Sequence, residues 1–138
     1  MQKILIVEDE KSISNILENI LSDEIQGSEI TIAENGLDAY KLIEKNDFDL
    51  IISDIKMPKL SGNELLTQSL SIKPESVFLM ISGHADIETA VSCLKNGAYD
   101  FISKPIDINR LITSVKNALE KKHLQNTKNS LIKENTQL

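Results

Sequence analysis

The sequence predicts an α/β fold, a doubly wound five-stranded parallel sheet with five helices on its faces. Two observations carry that expectation. Five short apolar runs recur along the 138 residues, and each is followed by a stretch whose apolar side chains return at three- and four-residue steps. A parallel return needs a crossover, which a helix supplies and which is normally right-handed. A closed eight-fold barrel would need about 250 residues and eight such units, so length and count exclude it.

Lys3-Ile4-Leu5-Ile6-Val7-Glu8 is a nearly continuous apolar run ending in an acid, the pattern of a strand covered on both faces. Ile13, Ile16, Leu17, Ile20 and Leu21 then form the single stripe of an amphipathic helix. Ile30-Thr31-Ile32-Ala33 is the second strand, and Asn35-Gly36 leads into a helix carrying Leu37, Tyr40 and Ile43. Leu50-Ile51-Ile52-Ser53-Asp54 is the third. Beyond Met57-Pro58, Ser61-Gly62-Asn63-Glu64 opens a helix as a capping box ahead of Leu65-Leu66. Val77 to Ser82 is the fourth strand, and Asp86 is placed to cap a helix bearing Ile87, Ala90, Val91 and Leu94. Asp100-Phe101-Ile102-Ser103 is the fifth. Asp107 can cap a last helix with Ile108, Leu111, Ile112, Val115 and Leu119 on one face. Turn or cap geometry accounts for Gly36, Gly62 and Gly97, and packing beside an apolar face accounts for Cys93.

At 41% hydrophobic and 26% charged, the composition is that of one globular domain with a core of its own. Fifteen Lys and Arg against 21 Asp and Glu leave a net charge of −6, the wrong sign for neutralising phosphate backbones, so no direct contact with nucleic acid is expected. A single cysteine forms no internal disulfide, and two histidines are too few for a His-rich metal cage. The apolar blocks stop well short of the roughly 20 residues of a membrane span, and Met1-Gln2-Lys3 opens no leader, so a cytoplasmic location is expected.

Residues 1–120 read as that domain and 121–138 as a polar linker or a helical extension of the fifth helix. From Glu120 onward the apolar residues are Leu124, Leu131, Ile132 and Leu138, and four lysines face two glutamates. Leu124, Leu131 and Leu138 are seven apart, as in one seam of a coiled coil, but Lys121, Lys128 and Asn135 fill the matching positions.

In an open parallel sheet, ligands sit beyond the carboxyl ends of the strands. Glu8 and Asp9 follow the first strand, Asp54 ends the third, Ser82 ends the fourth, and Lys104 follows the fifth. Three carboxylates brought together repel unless a cation intervenes, and an all-oxygen set with few protein carboxylates fits Mg2+. A bound metal and an amine beside one aspartate are what phosphoryl transfer onto that carboxylate requires. Asp54 is then the nucleophile and Ser82 a hydrogen-bonding sensor of the new phosphate.

Glu8-Asp9, Ser53-Asp54-Ile55-Lys56-Met57-Pro58, Met80-Ile81-Ser82-Gly83-His84 and Gly97-Ala98-Tyr99-Asp100-Phe101-Ile102-Ser103-Lys104-Pro105 together resemble a response-regulator receiver domain of two-component signalling. The resemblance runs from residue 3 to about 120 with every signature in order. It implies the flavodoxin-like receiver fold with strand order 2-1-3-4-5, and a phosphoryl group accepted on Asp54 from a histidine kinase. It implies Mg2+ held by Glu8, Asp9, Asp54 and the backbone carbonyl of Lys56, with Asp9 the more direct ligand and Glu8 acting through water. Ser82 and Phe101 match the two switch residues, Lys104 matches the phosphate-pairing lysine, and the Lys104-Pro105 bond is implied to be cis. A homodimer through the fourth helix, fifth strand and fifth helix is the implied output, and the domain catalyses only its own phosphorylation and dephosphorylation.

The wording of Ser53 to Gly62, Met80 to Val91 and Lys95 to Asp107 resembles the receivers of NtrC-like transcriptional activators. The phosphate-binding Gly-x-x-x-x-Gly-Lys-Ser/Thr loop of their ATPase domain is not in this sequence, which therefore reads as a receiver followed by the start of a linker. Two alternatives are a stand-alone phosphorelay protein and a degenerate receiver acting as a binding module. An aspartyl-phosphate hydrolase would need an Asp where Lys56 stands. His84, two after Ser82, is a candidate to touch the phosphate entrance, whereas Tyr99 reads as a surface residue and His123 has no assigned role.

Overall fold

The computed structural model describes residues 2–136, with the side chains of His84 and of residues 128–136 outside that description. Strands β1 (Lys3–Val7), β2 (Glu29–Ala33), β3 (Leu50–Asp54), β4 (Phe78–Ser82) and β5 (Asp100–Ser103) alternate with helices α1 (Lys11–Glu24), α2 (Gly36–Lys45), α3 (Gly62–Ile72), α4 (Ile87–Lys95) and α5 (Ile108–Thr136). All neighbouring strands are parallel, in the order β2-β1-β3-β4-β5. The expected architecture is the observed one.

Alternation along each strand divides the core in two. Ile4, Ile6, Leu50, Ile52, Leu79, Ile81 and Ile102 face α1 and α5, where Leu17, Leu21, Leu111 and Val115 meet them. Leu5, Val7, Ile51, Phe78 and Met80 face the other way, onto Ala39 and Ile43 of α2, Leu65 and Leu66 of α3, and Ala90 and Cys93 of α4. The central strands β3 and β4 are buried along their whole length, while the edge strands β2 and β5 are half-exposed, which is why the runs of β1, β3 and β4 are the most apolar. Cys93 is a buried packing residue, and burial pushes its thiol pKa up.

The helix starts follow the sequence closely, with one exception. Ser61 and Glu64 form the reciprocal capping box of α3, and Asp107 Oδ1 accepts from the Asn109 and Arg110 amides at 3.0 and 3.3 Å. Asp86 stands at the N-cap position of α4 but makes no cap hydrogen bond. A short 3-10 turn, His84–Asp86, occupies the approach, and Asp86 lines the cleft at the ends of the strands instead. The apolar stripes are also wider than the core they cover. Ile16 is 57% exposed and Leu37 41%, because both lie at stripe margins past the reach of the sheet. Ile16 looks instead onto a groove shared with Pro105, Ile106 and Ile108.

The polar segment past residue 120 continues α5 as one helix, on which Leu124 is exposed. Of the other two heptad leucines, the Leu131 side chain and the whole of Leu138 lie outside the described residues. Tyr99, read from sequence as a surface residue, is half-buried against α5, with the Lys121 ammonium 5.3 Å above its ring.

Two glycines act by close approach and not by turn geometry. A Cβ on Gly36 would strike Leu60, and one on Gly62 would strike the carbonyl oxygen of Asp54. Gly62 also donates its amide to Ile55 at 2.7 Å, so the first turn of α3 is pressed against the end of β3. Gly97 alone of the three has a positive φ, +114°, as a glycine after a helix end often does. Gly62→Ala should therefore cost about 1–3 kcal/mol, the usual penalty of overpacking. Urea unfolding measures it, and a midpoint equal to that of the unsubstituted protein would contradict the contact.

Candidate functional site

The site is made by where parallel strands stop. Register pairs Val7 with Ser53, Asp54 with Ile81, and Ser82 with Ser103, so the residues just past these positions share one edge. Asp54, at the end of the central strand β3, lies in the middle of that edge. Glu8 and Asp9 stand on its β1 side, and Ser82 and Lys104 on its β4–β5 side. The Lys104 amide donates to the Ser82 carbonyl at 2.7 Å, and the Lys104-Pro105 bond is cis. Of these, Asp9, Asp54 and Lys104 line a cleft of about 410 Å³ together with Glu10, Lys56, Met57, Pro58, Gly83 and Asp86, and Glu8 and Ser82 are buried behind it.

Carboxylate oxygens of Glu8, Asp9 and Asp54 lie within 4.8 Å of one another. Asp54 is buried and ion-paired, its Oδ2 3.0 Å from Lys104 Nζ. Glu8 is 2% exposed; its Oε1 accepts the Glu10 amide at 3.3 Å, while its Oε2 is buried without a hydrogen-bond partner. Burial first, and the charge of Asp54 second, push the Glu8 carboxyl up to about 8. Lys104 is pulled down by its own burial, but its bond to Asp54 and the charges of Asp54, Glu8 and Glu10 raise it overall. The Ser82 hydroxyl is also buried without a partner.

This donor set fits a hard divalent cation. Three carboxylates converge, one buried oxygen among them is unsatisfied, and among the described residues no His or Cys ligand joins the cluster. Asp9, the exposed member, stands at the cleft mouth and Glu8 behind it. The Lys56 side chain is exposed at the rim. Phe101 is half-buried on the α4 side of the sheet, away from the carboxylates. His123 is exposed on the α5 extension.

Sequence reasoning missed Glu10 and Asp86 as parts of the cleft. Glu10 was visible as the third acid of Glu8-Asp9-Glu10, whereas Asp86 carried only the signal of a helix cap.

The charge cluster ties metal binding to pH. The folded carboxyl of Glu8 holds its proton to about 8 against an ordinary 4.5, so between those values the folded chain keeps a proton that the unfolded chain has lost. The contribution of this group to the stability of the metal-free protein is therefore fully present below the lower value and is lost as pH rises through the upper one. A divalent cation held by the ionised cluster would compete with that proton, so Mg2+ affinity should rise by up to roughly tenfold per pH unit toward a plateau near the upper value, with Glu8→Gln flattening the slope. Calorimetric titration with MgCl2 at pH 6, 7, 8 and 9 tests this; equal affinities across the series in the unsubstituted protein would refute it.

Residues 4–116 match the response regulator receiver domain family. Among curated proteins, the chain is 43% identical over 119 residues to the nitrogen assimilation regulatory protein NtrX of Azorhizobium caulinodans, covering 85% of this chain and 26% of that protein. It is 34% identical over 116 residues to the transcriptional regulatory protein ZraR of Klebsiella oxytoca, covering 84% and 26%. The chain thus spans about a quarter of the length of the curated relatives it matches. The NtrX structure from Brucella abortus superposes with a TM-score of 0.84 at 40% identity, covering 95% of this chain and 30% of that one. A receiver domain protein from Clostridium thermocellum gives 0.84 at 30% identity, covering 91% and 99%. The strand order, the acid cluster with its paired lysine and these matches lead to one conclusion: this chain belongs to the response regulator receiver domain family, with the receivers of NtrC-like transcriptional regulators among its relatives.

Proposed function

We propose that this domain is a phosphorylation switch in which Asp54 accepts a phosphoryl group from a phosphohistidine of a histidine kinase. The observation that carries the reading is the Asp54–Lys104 pair inside a carboxylate cluster with one unsatisfied buried oxygen. A carboxylate oxygen of Asp54 attacks phosphorus in line, the P–N bond breaks, and its electron pair leaves on the imidazole nitrogen. Glu8, Asp9, Asp54 and the Lys56 carbonyl would hold Mg2+, which when bound would supply neutralisation of the oxygen charge that builds up during transfer. Lys104, already at Asp54, pairs with a phosphoryl oxygen, and the unpartnered Ser82 hydroxyl donates to another. Hydrolysis of the acyl phosphate resets the domain, and that self-catalysed cycle is its only chemistry.

Beside Lys104 lies an apolar groove of about 300 Å³ formed by α1 and the start of α5, with Ile16 57% and Ile108 52% exposed. Its nearness to the acceptor supports docking of the kinase there. None of the described helices is long and apolar enough to cross a membrane, and a cytoplasmic location follows from the proposed donor.

When Ser82 turns to the phosphate, the space it leaves admits the Phe101 ring, and phosphate contacts favour that arrangement over the other. Exposed Val91 and Leu94 on α4 support a homodimer through α4, β5 and α5 as the output. The relatives' names as transcriptional and nitrogen assimilation regulators support a place in transcription regulation, and the net charge of −6 supports a domain that does not itself contact DNA.

Incubation with MgCl2 and phosphoramidate should add one phosphoryl group by intact mass. Asp54→Asn or excess chelator should abolish it, and Lys104→Ala should slow it roughly 10²-fold, as loss of one preorganised donor does. No adduct on folded protein would overturn the switch and favour a binding module. Sedimentation of the labelled protein should show stronger self-association than the unlabelled form; equal dimer affinities would remove dimerisation as the output.

A further inference from the structure

Strand β5 has β4 on one side and, among the described residues, no strand on the other. Because the Lys104 amide bonds to Ser82 of β4, the two-residue period of a strand sends the backbone groups of residues 100 and 102 the same way and those of Phe101 outward, to the open edge. Both outward groups of Phe101 are taken by side chains. Its amide donates to Asp100 Oδ1 at 2.8 Å, and its carbonyl accepts from Arg110 Nη2 at 2.9 Å. The same Arg110 nitrogen lies 3.5 Å from each Asp100 carboxylate oxygen, and Ser114 Oγ donates to Asp100 Oδ2 at 3.2 Å. Arg110 and Ser114 are four apart on α5 and so stand on one face.

We propose that Arg110 is a positioning residue that locks the backbone of Phe101 to α5, so that rearrangement at β5 is delivered to that helix. This rests on the switch reading above. Among the described residues, α5 otherwise meets the sheet through Leu111, Val115, Ala118 and Leu119, apolar packing that is non-directional and permits sliding, and through the Lys121 ammonium over the Tyr99 ring just ahead of β5, which holds no backbone group. Arg110 Nη2 joins one named peptide of β5 to one turn of the helix, and Asp100, itself bonded by Ser114, holds that nitrogen in place. The Phe101 ring meanwhile packs on the opposite side, toward α4. A strand edge closed in this way cannot absorb ring movement by loosening its own backbone, and α5 carries the displacement on toward residue 136. The lock also occupies the groups that an exposed edge would offer to another strand.

The experiment uses the whole chain and three variants, Arg110→Gln, Arg110→Lys and Asp100→Asn, each labelled with phosphoramidate and MgCl2. Intact mass reads the reaction at Asp54, which none of these positions touches. Failure of the unsubstituted protein to take the label overturns the switch reading itself, apart from the role of Arg110. Amide hydrogen exchange is then followed at Phe101 and at residues 111–115. In the unsubstituted protein, labelling should change exchange at both places together. In Arg110→Gln the response at Phe101 should persist and that of 111–115 should be lost, with partial rescue in Arg110→Lys, which keeps one cationic donor nitrogen. Asp100→Asn retains an acceptor for the Phe101 amide but removes the charge facing Arg110, and should also weaken the α5 response. A merely structural role would shift exchange in labelled and unlabelled forms alike and leave their difference intact. That result, or a full α5 response in Arg110→Gln, or none in the unsubstituted protein, overturns the proposal.

Discussion

Mutual repulsion of Glu8, Asp9 and Asp54 is the constraint around which this molecule is built. At the 4.8 Å limit of their separation, two unit charges repel by roughly 3–4 kcal/mol at an effective dielectric of about 20. Lys104 is the ammonium paired with Asp54, and one positive charge cannot balance three carboxylates. The result is a Glu8 carboxyl that burial and Asp54 hold protonated well above its ordinary range, and an oxygen with no partner. Such an arrangement persists only if the scaffold over-determines it. Fully buried β3 and β4, with β1 beside them, supply that rigidity, since each buried branched side chain contributes about 1.5–3 kcal/mol.

The same scaffold decides which parts of the site stay still. Asp54 is fixed from behind by Gly62, whose approach to the Asp54 carbonyl leaves no room for a side chain, and from the side by its place in β3. Lys104 and Ser82 are held differently. The Lys104 backbone is tied to β4, but its ammonium ends a flexible stem, and the Ser82 hydroxyl is committed to no neighbour. A static acceptor between two side chains free to change partners is suited to detecting a group added to that acceptor.

Much of this was legible in the sequence because burial on both faces writes a strand as an unbroken apolar run, and because parallel strands bring their last residues together whatever their separation along the chain. That places Asp54, Glu8, Asp9, Ser82 and Lys104 on one edge without coordinates. Other features depend on distances that no local pattern encodes. The contact between Gly62 and Asp54 arises from how α3 settles against β3. Asp86 satisfies the sequence rule for a helix cap, and only the intervening 3-10 turn diverts it to the cleft. Ile16 keeps helical periodicity yet lies past the edge of the sheet, so periodicity finds the apolar face but not its width. The switch residues and the dimer face came from resemblance to a family, because an aromatic in a strand reads equally well as plain core.

The network around Arg110 was out of reach of the sequence for a further reason. Asp100, Arg110 and Ser114 each read as an ordinary polar residue of an exposed element, and their convergence follows from α5 returning along the sheet's open edge. Among the described residues, that edge and the β2 edge are the two places where a strand is half-exposed and paired on one side only, and β5 is the one beside Ser82 and Lys104. The interior strands are clamped by neighbours on both sides and by helices on both faces, so a change of charge at Asp54 finds no compliance among them. It finds compliance at β5, half-exposed and paired on one side only. On the proposed switch reading, a signal produced at a rigid centre would leave through this periphery, and the polar links between it and α5 would determine whether it remains local or passes along the helix.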